Sequence, residues 1–212
     1  MTSAIDQLYA EVYANPDDDQ LRRVLADALL AENDPRGELI LFQLEPDKDH
    51  HRRAMRLIQA HGLSWLGPLR GCVIPLAYER GFVAACRVIA DAVRCDEWAT
   101  VHTIEVSEGT FAILDEMRSL HTVELDEPAQ LERLAAQRHP RLDSLTVRVP
   151  WANNLMPILD RHLPKGLGKK LMLDRVPDDQ QAELRSFSTP TELQLQIAPP
   201  LPASPYYDAI DE

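Results

Sequence analysis

The sequence predicts an α/β protein, with an N-terminal helical cap followed by a short solenoid that carries a parallel sheet. Residues 1–64 set apolar side chains at helical spacing between turn residues. Residues 98–198 repeat an apolar-x-apolar unit about five times. Between them, residues 65–97 hold two β-like runs and read as a connecting hairpin or capping strands. A chain of 212 residues, 45% hydrophobic and 26% charged, is long enough and apolar enough to bury a sizeable core.

The helical part reads element by element. Ile5, Leu8, Tyr9, Val12 and Tyr13 share one helix face, and Asn15-Pro16-Asp17 ends that helix. Asp17, Asp18 and Asp19 supply an N-cap and favourable charge for a second helix, whose apolar face is Leu21, Val24, Leu25, Ala28 and Leu29. The triplet lacks the alternating ligand spacing of a calcium loop. Asn33 to Gly37 is turn chemistry, and Glu38 to Leu44 forms a third helix. After the charged loop Glu45 to Asp49, a fourth helix buries Ala54, Met55, Leu57 and Ile58 and ends at His61-Gly62. His50, His51 and His61 lie near its ends as solvated residues.

Trp65, Leu66 and Leu69 make a short turn packed on the helices. Cys72 to Leu76 and Phe82 to Cys86 are β-like runs around Tyr78-Glu79-Arg80-Gly81, a connecting hairpin or pair of capping strands.

These residues carry a resemblance. Asn15-Pro16-Asp17-Asp18-Asp19, Leu25-Ala26-Asp27-Ala28-Leu29 and Asp34-Pro35-Arg36-Gly37-Glu38-Leu39-Ile40 with Phe42-Gln43 resemble the bacterial repeat-companion domain of myxobacterial and planctomycete proteins. Trp65-Leu66-Gly67-Pro68-Leu69 and Arg80-Gly81-Phe82 resemble the segment that joins that module to its repeats. The likeness covers roughly residues 5–90, with Asp-Pro-Arg-Gly-Glu its most specific part. It implies a helical cap in front of leucine-rich-type repeats and no reaction, with Arg36 and Glu38 expected to bond helix ends.

The repeats themselves are read from the residues. Val101-His102-Thr103-Ile104-Glu105-Val106 recurs as Leu120-His121-Thr122-Val123-Glu124-Leu125 after 19 residues, and Leu142-Asp143-Ser144-Leu145-Thr146-Val147 follows after 22. Leu171-Met172-Leu173 and Leu193-Gln194-Leu195 continue the apolar-x-apolar centre. This is the strand portion of a leucine-rich repeat, with helices expected at Phe111 to Met117, Ala129 to Gln137, Leu155 to Arg161 and Gln181 to Phe187. The asparagine position of a standard repeat is occupied by Gly109, Pro128, Pro150, Val176 and Ala198, so the repeats are expected to be irregular. A small doubly wound α/β domain would also alternate strands and helices in this way. Residues 199–212 form a Pro-rich acidic tail ending in Tyr206 and Tyr207 and an acidic stretch, a docking peptide or a strap in the sharper reading.

Composition narrows the function. A net charge of −12, with both halves acidic, disfavours nucleic acid and anionic membrane, and no run is long enough for a membrane span. With no secretory leader pattern at the N-terminus, the expected location is cytoplasmic. Cys72, Cys86 and Cys95 fit neither a disulfide framework nor paired zinc ligands and are expected as reduced, partly buried residues. His102 with His121 and Glu105 with Glu124 are the nearest approach to a metal site, but strand parity sends the histidines and glutamates to opposite faces. Gly166 to Lys170 lacks phosphate-loop spacing. No cofactor, metal ligand or catalytic residue is therefore assigned.

The expected function is non-catalytic: a scaffold, regulator or inhibitor that binds another protein bearing a basic patch. The predicted contact residues are Thr103, Glu105, Ser107, Thr122, Glu124, Asp126, Thr146, Arg148, Lys170, Met172, Asp174 and Gln194 on the open sheet face, with Tyr206 and Tyr207 of the tail. The alternative is a small α/β enzyme with its site at the C-terminal ends of the strands, near Ser107, Glu108, Asp126, Arg148 and Asp174.

Overall fold

The computed structural model describes residues 3–106, 113–125, 130, 134, 144–148, 170–174 and 194–198. Among them the helices are α1 (Ala4–Ala14), α2 (Asp19–Ala31), α3 (Pro35–Leu44) and α4 (Lys48–His61). The strands are β1 (Val73–Glu79), β2 (Phe82–Val88), β3 (Thr103–Val106), β4 (Thr122–Leu125), β5 (Ser144–Arg148), β6 (Lys170–Asp174) and β7 (Gln194–Ala198). The described residues thus form a mixed α/β protein with four α-helices and one open sheet. Strands lie in chain order from β1 to β7, the first pair antiparallel and each later pair parallel.

Each helix begins where a short polar side chain satisfies its first amides. Ser3 and Asp6 cap α1 reciprocally, Asp18 accepts from Gln20 and Leu21, and Asp47 accepts from Asp49 and His50. Asp34 accepts from the Arg36 amide, so α3 starts at Pro35, where the missing N–H costs nothing, rather than at Glu38 as the turn chemistry suggested. Gly37 is required by packing: a Cβ there would stand 2.7 Å from the Ala26 carbonyl oxygen on α2. Glu38 is exposed.

The buried face of α2 is Arg22, Leu25, Ala26 and Leu29, rotated from the expected one, and Val24 is exposed. The cause is Arg22, 1% exposed, which donates through Nε and Nη2 to the Pro16 carbonyl and through Nη1 to the Arg80 carbonyl. Burial pulls its guanidinium down to about 10, still charged at neutral pH.

Arg22 is one of three side chains that grip the tip of the β1–β2 hairpin. Arg80 and Gly81 both have positive φ, 50° and 85°, between the paired residues Glu79 and Phe82, as a tight two-residue turn needs. Arg36 Nε donates to the Gly81 carbonyl at 2.9 Å. Gln43 completes the set: its amide donates to the Tyr78 carbonyl at 2.7 Å and accepts from the Gly81 N–H at 2.8 Å. Arg36 therefore reads a turn carbonyl of the sheet, not a helix end. Both guanidiniums also lie over the Phe82 ring, 4.8 Å for Arg22 and 4.4 Å for Arg36, contacts worth about 2 kcal/mol each where water is excluded.

β1 forms one edge of the sheet, and Pro75 within it offers no N–H to an incoming strand. The Gln43 amide occupies the Tyr78 carbonyl further along the same strand. Helices and sheet share their cores. Phe82 of β2 sits with Val12, Tyr13, Leu25, Leu29 and Ile40, while Leu39, Ala54 and Ile58 join Val83, Trp98, Ile104 and Val123. Arg118, beyond β3, returns to donate to the Tyr13 and Ala14 carbonyls at the end of α1.

Residues 113–116, at the first expected inter-strand helix, form a 3₁₀ turn, and Gln130 and Leu134 of the second are helical. The third and fourth expected helices, and the tail, lie outside the described residues.

Two substitutions test the hairpin grip by urea unfolding followed in the far-UV circular dichroism. Gly81→Ala would set a Cβ 2.1 Å from Ile40 Cγ1 at positive φ and is expected to cost about 2–4 kcal/mol. Gln43→Ala removes a side-chain partner from the Tyr78 carbonyl and the Gly81 N–H and is expected to cost about 1–3 kcal/mol, with Glu38→Ala within about 0.5 kcal/mol as control.

Candidate partner-binding surface

The parallel pairing aligns the predicted contact positions into rows. Thr103, Thr122, Ser144, Lys170 and Gln194 are successive Cα partners, as are Glu105, Glu124, Thr146, Met172 and Gln196. Arg148 and Asp174 pair in a third row. Between the polar rows run Ile104, Val123, Leu145, Leu171 and Leu195, and then Val106, Leu125, Val147, Leu173 and Ile197. On β3 and β4 this alternation is a burial alternation: Ile104, Val106, Val123 and Leu125 are buried, while Thr103, Thr122 and Glu124 are half-buried. Strands about 4.8 Å apart thus bring equivalent residues of neighbouring units side by side. Ser107, Glu108, Asp126, Tyr206 and Tyr207 lie outside the described residues.

Glu105 departs from the expected open face. It is buried, 5% exposed, and its carboxylate accepts from Arg87 Nε. The reason is β2, which joins the sheet beside β3 and sets Arg87 opposite Glu105. Sequence spacing paired Glu105 with Glu124 but gave the hairpin strand no register, so this cation was missed.

His102 and His121 stack at the start of β3 and β4, with ring centroids 4.7 Å apart and planes 10° from parallel. Each places Nδ1 beside the hydroxyl of the threonine that follows, at 3.0 and 3.1 Å, and His102 Nε2 lies 3.1 Å from the Glu79 carboxylate. Among the described residues no group of three His, Cys, Asp or Glu side chains is placed to hold a metal ion. No helix among them is long and apolar enough to cross a membrane.

The three cysteines are free thiols. Burial pushes the Cys86 thiol up to about 12, with the Glu105 charge adding to the effect. Cys95 is also pushed up to about 12, by burial first and then by its hydrogen bond to Glu97. Both stay protonated at neutral pH and are weak nucleophiles. A groove of about 490 Å³ between α3, α4 and β1 is walled by Phe42, Met55, Ile58, Leu76 and Tyr78, a lining that is mostly apolar.

With this geometry in hand, comparison with known proteins adds nothing: the chain matches no family model, and no curated protein or solved structure is significantly similar to it.

Two outcomes follow. Arg87→Ala leaves the Glu105 carboxylate buried beside Glu124 and is expected to lose about 2–4 kcal/mol in urea unfolding, while the double change Arg87→Met with Glu105→Met recovers most of it. Alkali is the second. Burial raises the Cys86 and Cys95 thiols and, opposed by Arg36, the Tyr9 and Tyr13 phenols above their ordinary values of 9.0 and 10.0. The unfolded chain releases these protons first, so stability is full below pH of about 9 and falls as pH rises through the folded values. The urea midpoint should hold from about pH 7 to 9 and then drop, less steeply in Cys86→Ala.

Proposed function

We propose that this chain is a non-catalytic protein-interaction module, a repeat-companion type of helical cap leading into an irregular leucine-rich-type array. In this reading it binds a partner protein through the polar rows of its sheet. The single observation that carries the reading is the register: two rows of equivalent positions aligned across β3 to β7, polar on every strand except at Met172 of β6, with apolar rows beside them. A repeated, rigid set of side-chain positions suits recognition of an extended protein surface. Strands follow each other in chain order without the reversal that creates the ligand crevice of a doubly wound sheet. The net charge of −12 favours a partner with a basic face and makes the encounter salt-sensitive. Regulation or inhibition of that partner is the role such a small acidic module serves in the cytoplasm.

The test is affinity purification from the native cell, comparing the wild-type chain with Thr122→Arg/Glu124→Arg, both half-buried positions on β4. A partner lost by the variant with its circular dichroism intact, and released from the wild type by raised salt, supports the module. Retention of the same partner by the variant, or recovery of the bait alone, overturns binding through the sheet rows.

A further inference from the structure

A second cavity, of about 390 Å³, lies where α1, the start of α3 and the 3₁₀ segments Gly62–Leu69 and Asp96–Thr100 meet. Three aromatic rings, Tyr9, Tyr13 and Trp65, line it. They are held before any ligand arrives: Tyr9 and Tyr13 stack at 6.1 Å, and His61 lies 5.5 Å from Trp65. Four carboxylates, Asp6, Asp34, Asp96 and Glu97, line the same space with one guanidinium, Arg36.

The Arg36 charge is already committed: Nε donates to the Gly81 carbonyl, and the group lies over Phe82 and, at 5.3 Å, over one face of Tyr9, which leaves Tyr13 and Trp65 as the rings open to a further cation. Helix capping accounts for Asp6 and Asp34, which accept from the Ser3 and Arg36 amides. It does not account for Asp96, which is exposed and makes no ion pair among the described residues, while Glu97, on the same rim, bonds the Cys95 thiol. The result is an aromatic recess with an excess of negative charge, complementary to a cation with an apolar stem. Rings attract a cation through their faces, and carboxylates add charge-assisted hydrogen bonds.

We propose that this cavity receives a lysine side chain of a partner protein. The lining carboxylates come from three separate segments of the chain, which suits the compact ammonium, with its three donors, over the planar guanidinium. The aromatic walls cover the aliphatic stem. The inference rests on the partner-binding reading for its occupant but uses a surface of the helical cap, apart from the rows of β3 to β7.

The full chain, ¹⁵N-labelled, is titrated by NMR with the capped peptide Gly-Gly-Lys-Gly-Gly, its acetyl-lysine form and n-butylamine. The expected result is saturable shifts at the Trp65 indole and the Tyr9 and Glu97 amides, lost with acetyl-lysine. Asp96→Asn, at an exposed position that leaves folding unchanged, should weaken binding about threefold, and Asp96→Asn/Glu97→Gln about tenfold. Thr122→Arg/Glu124→Arg should leave the titration unchanged, which separates this site from the sheet face. Shifts that survive acetylation or the paired substitution, or that fall only on β3 and β4, overturn the proposal. Butylamine binding as tightly as the peptide also overturns it, by pointing to a free amine in place of a protein side chain.

Discussion

The grip of Arg22, Arg36 and Gln43 on the turn at Arg80-Gly81 is the constraint on which the remaining architecture depends. A two-residue turn exposes carbonyls and amides that a buried setting must satisfy. Here they are met by side chains from α2 and α3. Because Phe82 follows the turn directly and is buried among the helices, fixing the tip fixes where β2 enters the sheet. β2 then aligns Ala85, Cys86 and Arg87 with Thr103, Ile104 and Glu105. Each later strand then adds to the sheet in a parallel register of its own.

Parallel pairing keeps the rows in step over strands of very different sequence, with Met172 the one apolar residue in the two polar rows. Only the apolar-x-apolar centre has to recur, because a slip of one residue would move each apolar side chain to the opposite face. The Arg87 and Glu105 pair marks the join between the hairpin and the parallel strands: a cation from β2 pairs with the carboxylate on β3, and Glu124 on β4 stays partly open.

The elements visible in the sequence were those set by local rules. Helix periodicity found α1 and α4, the aspartates after Pro16 announced the cap of α2, and the repeated hexapeptide located β3 and β4 in their correct mutual register. The face of α2 was misread because hydrophobicity alone places an arginine outside, whereas Arg22 is buried by carbonyls from Pro16 and from Arg80, the latter 58 residues away. The burial of Glu105 was missed for the same reason, since its partner lies on a strand whose neighbours no local pattern names. The aromatic and acidic cavity was illegible altogether: Tyr9, Asp34, Trp65 and Glu97 share no motif and are brought together only by folding. Long-range polar contacts leave no periodic trace in a sequence.

The edge strand β1 carries Pro75 and has its Tyr78 carbonyl occupied by Gln43. That border is a poor template for a neighbouring strand, because one N–H is missing and one carbonyl is already bonded along it. The same arrangement gives the sheet two unlike borders: the β1 side is tied to α3 through the Tyr78 carbonyl, whereas β7 ends the strand order on the other side.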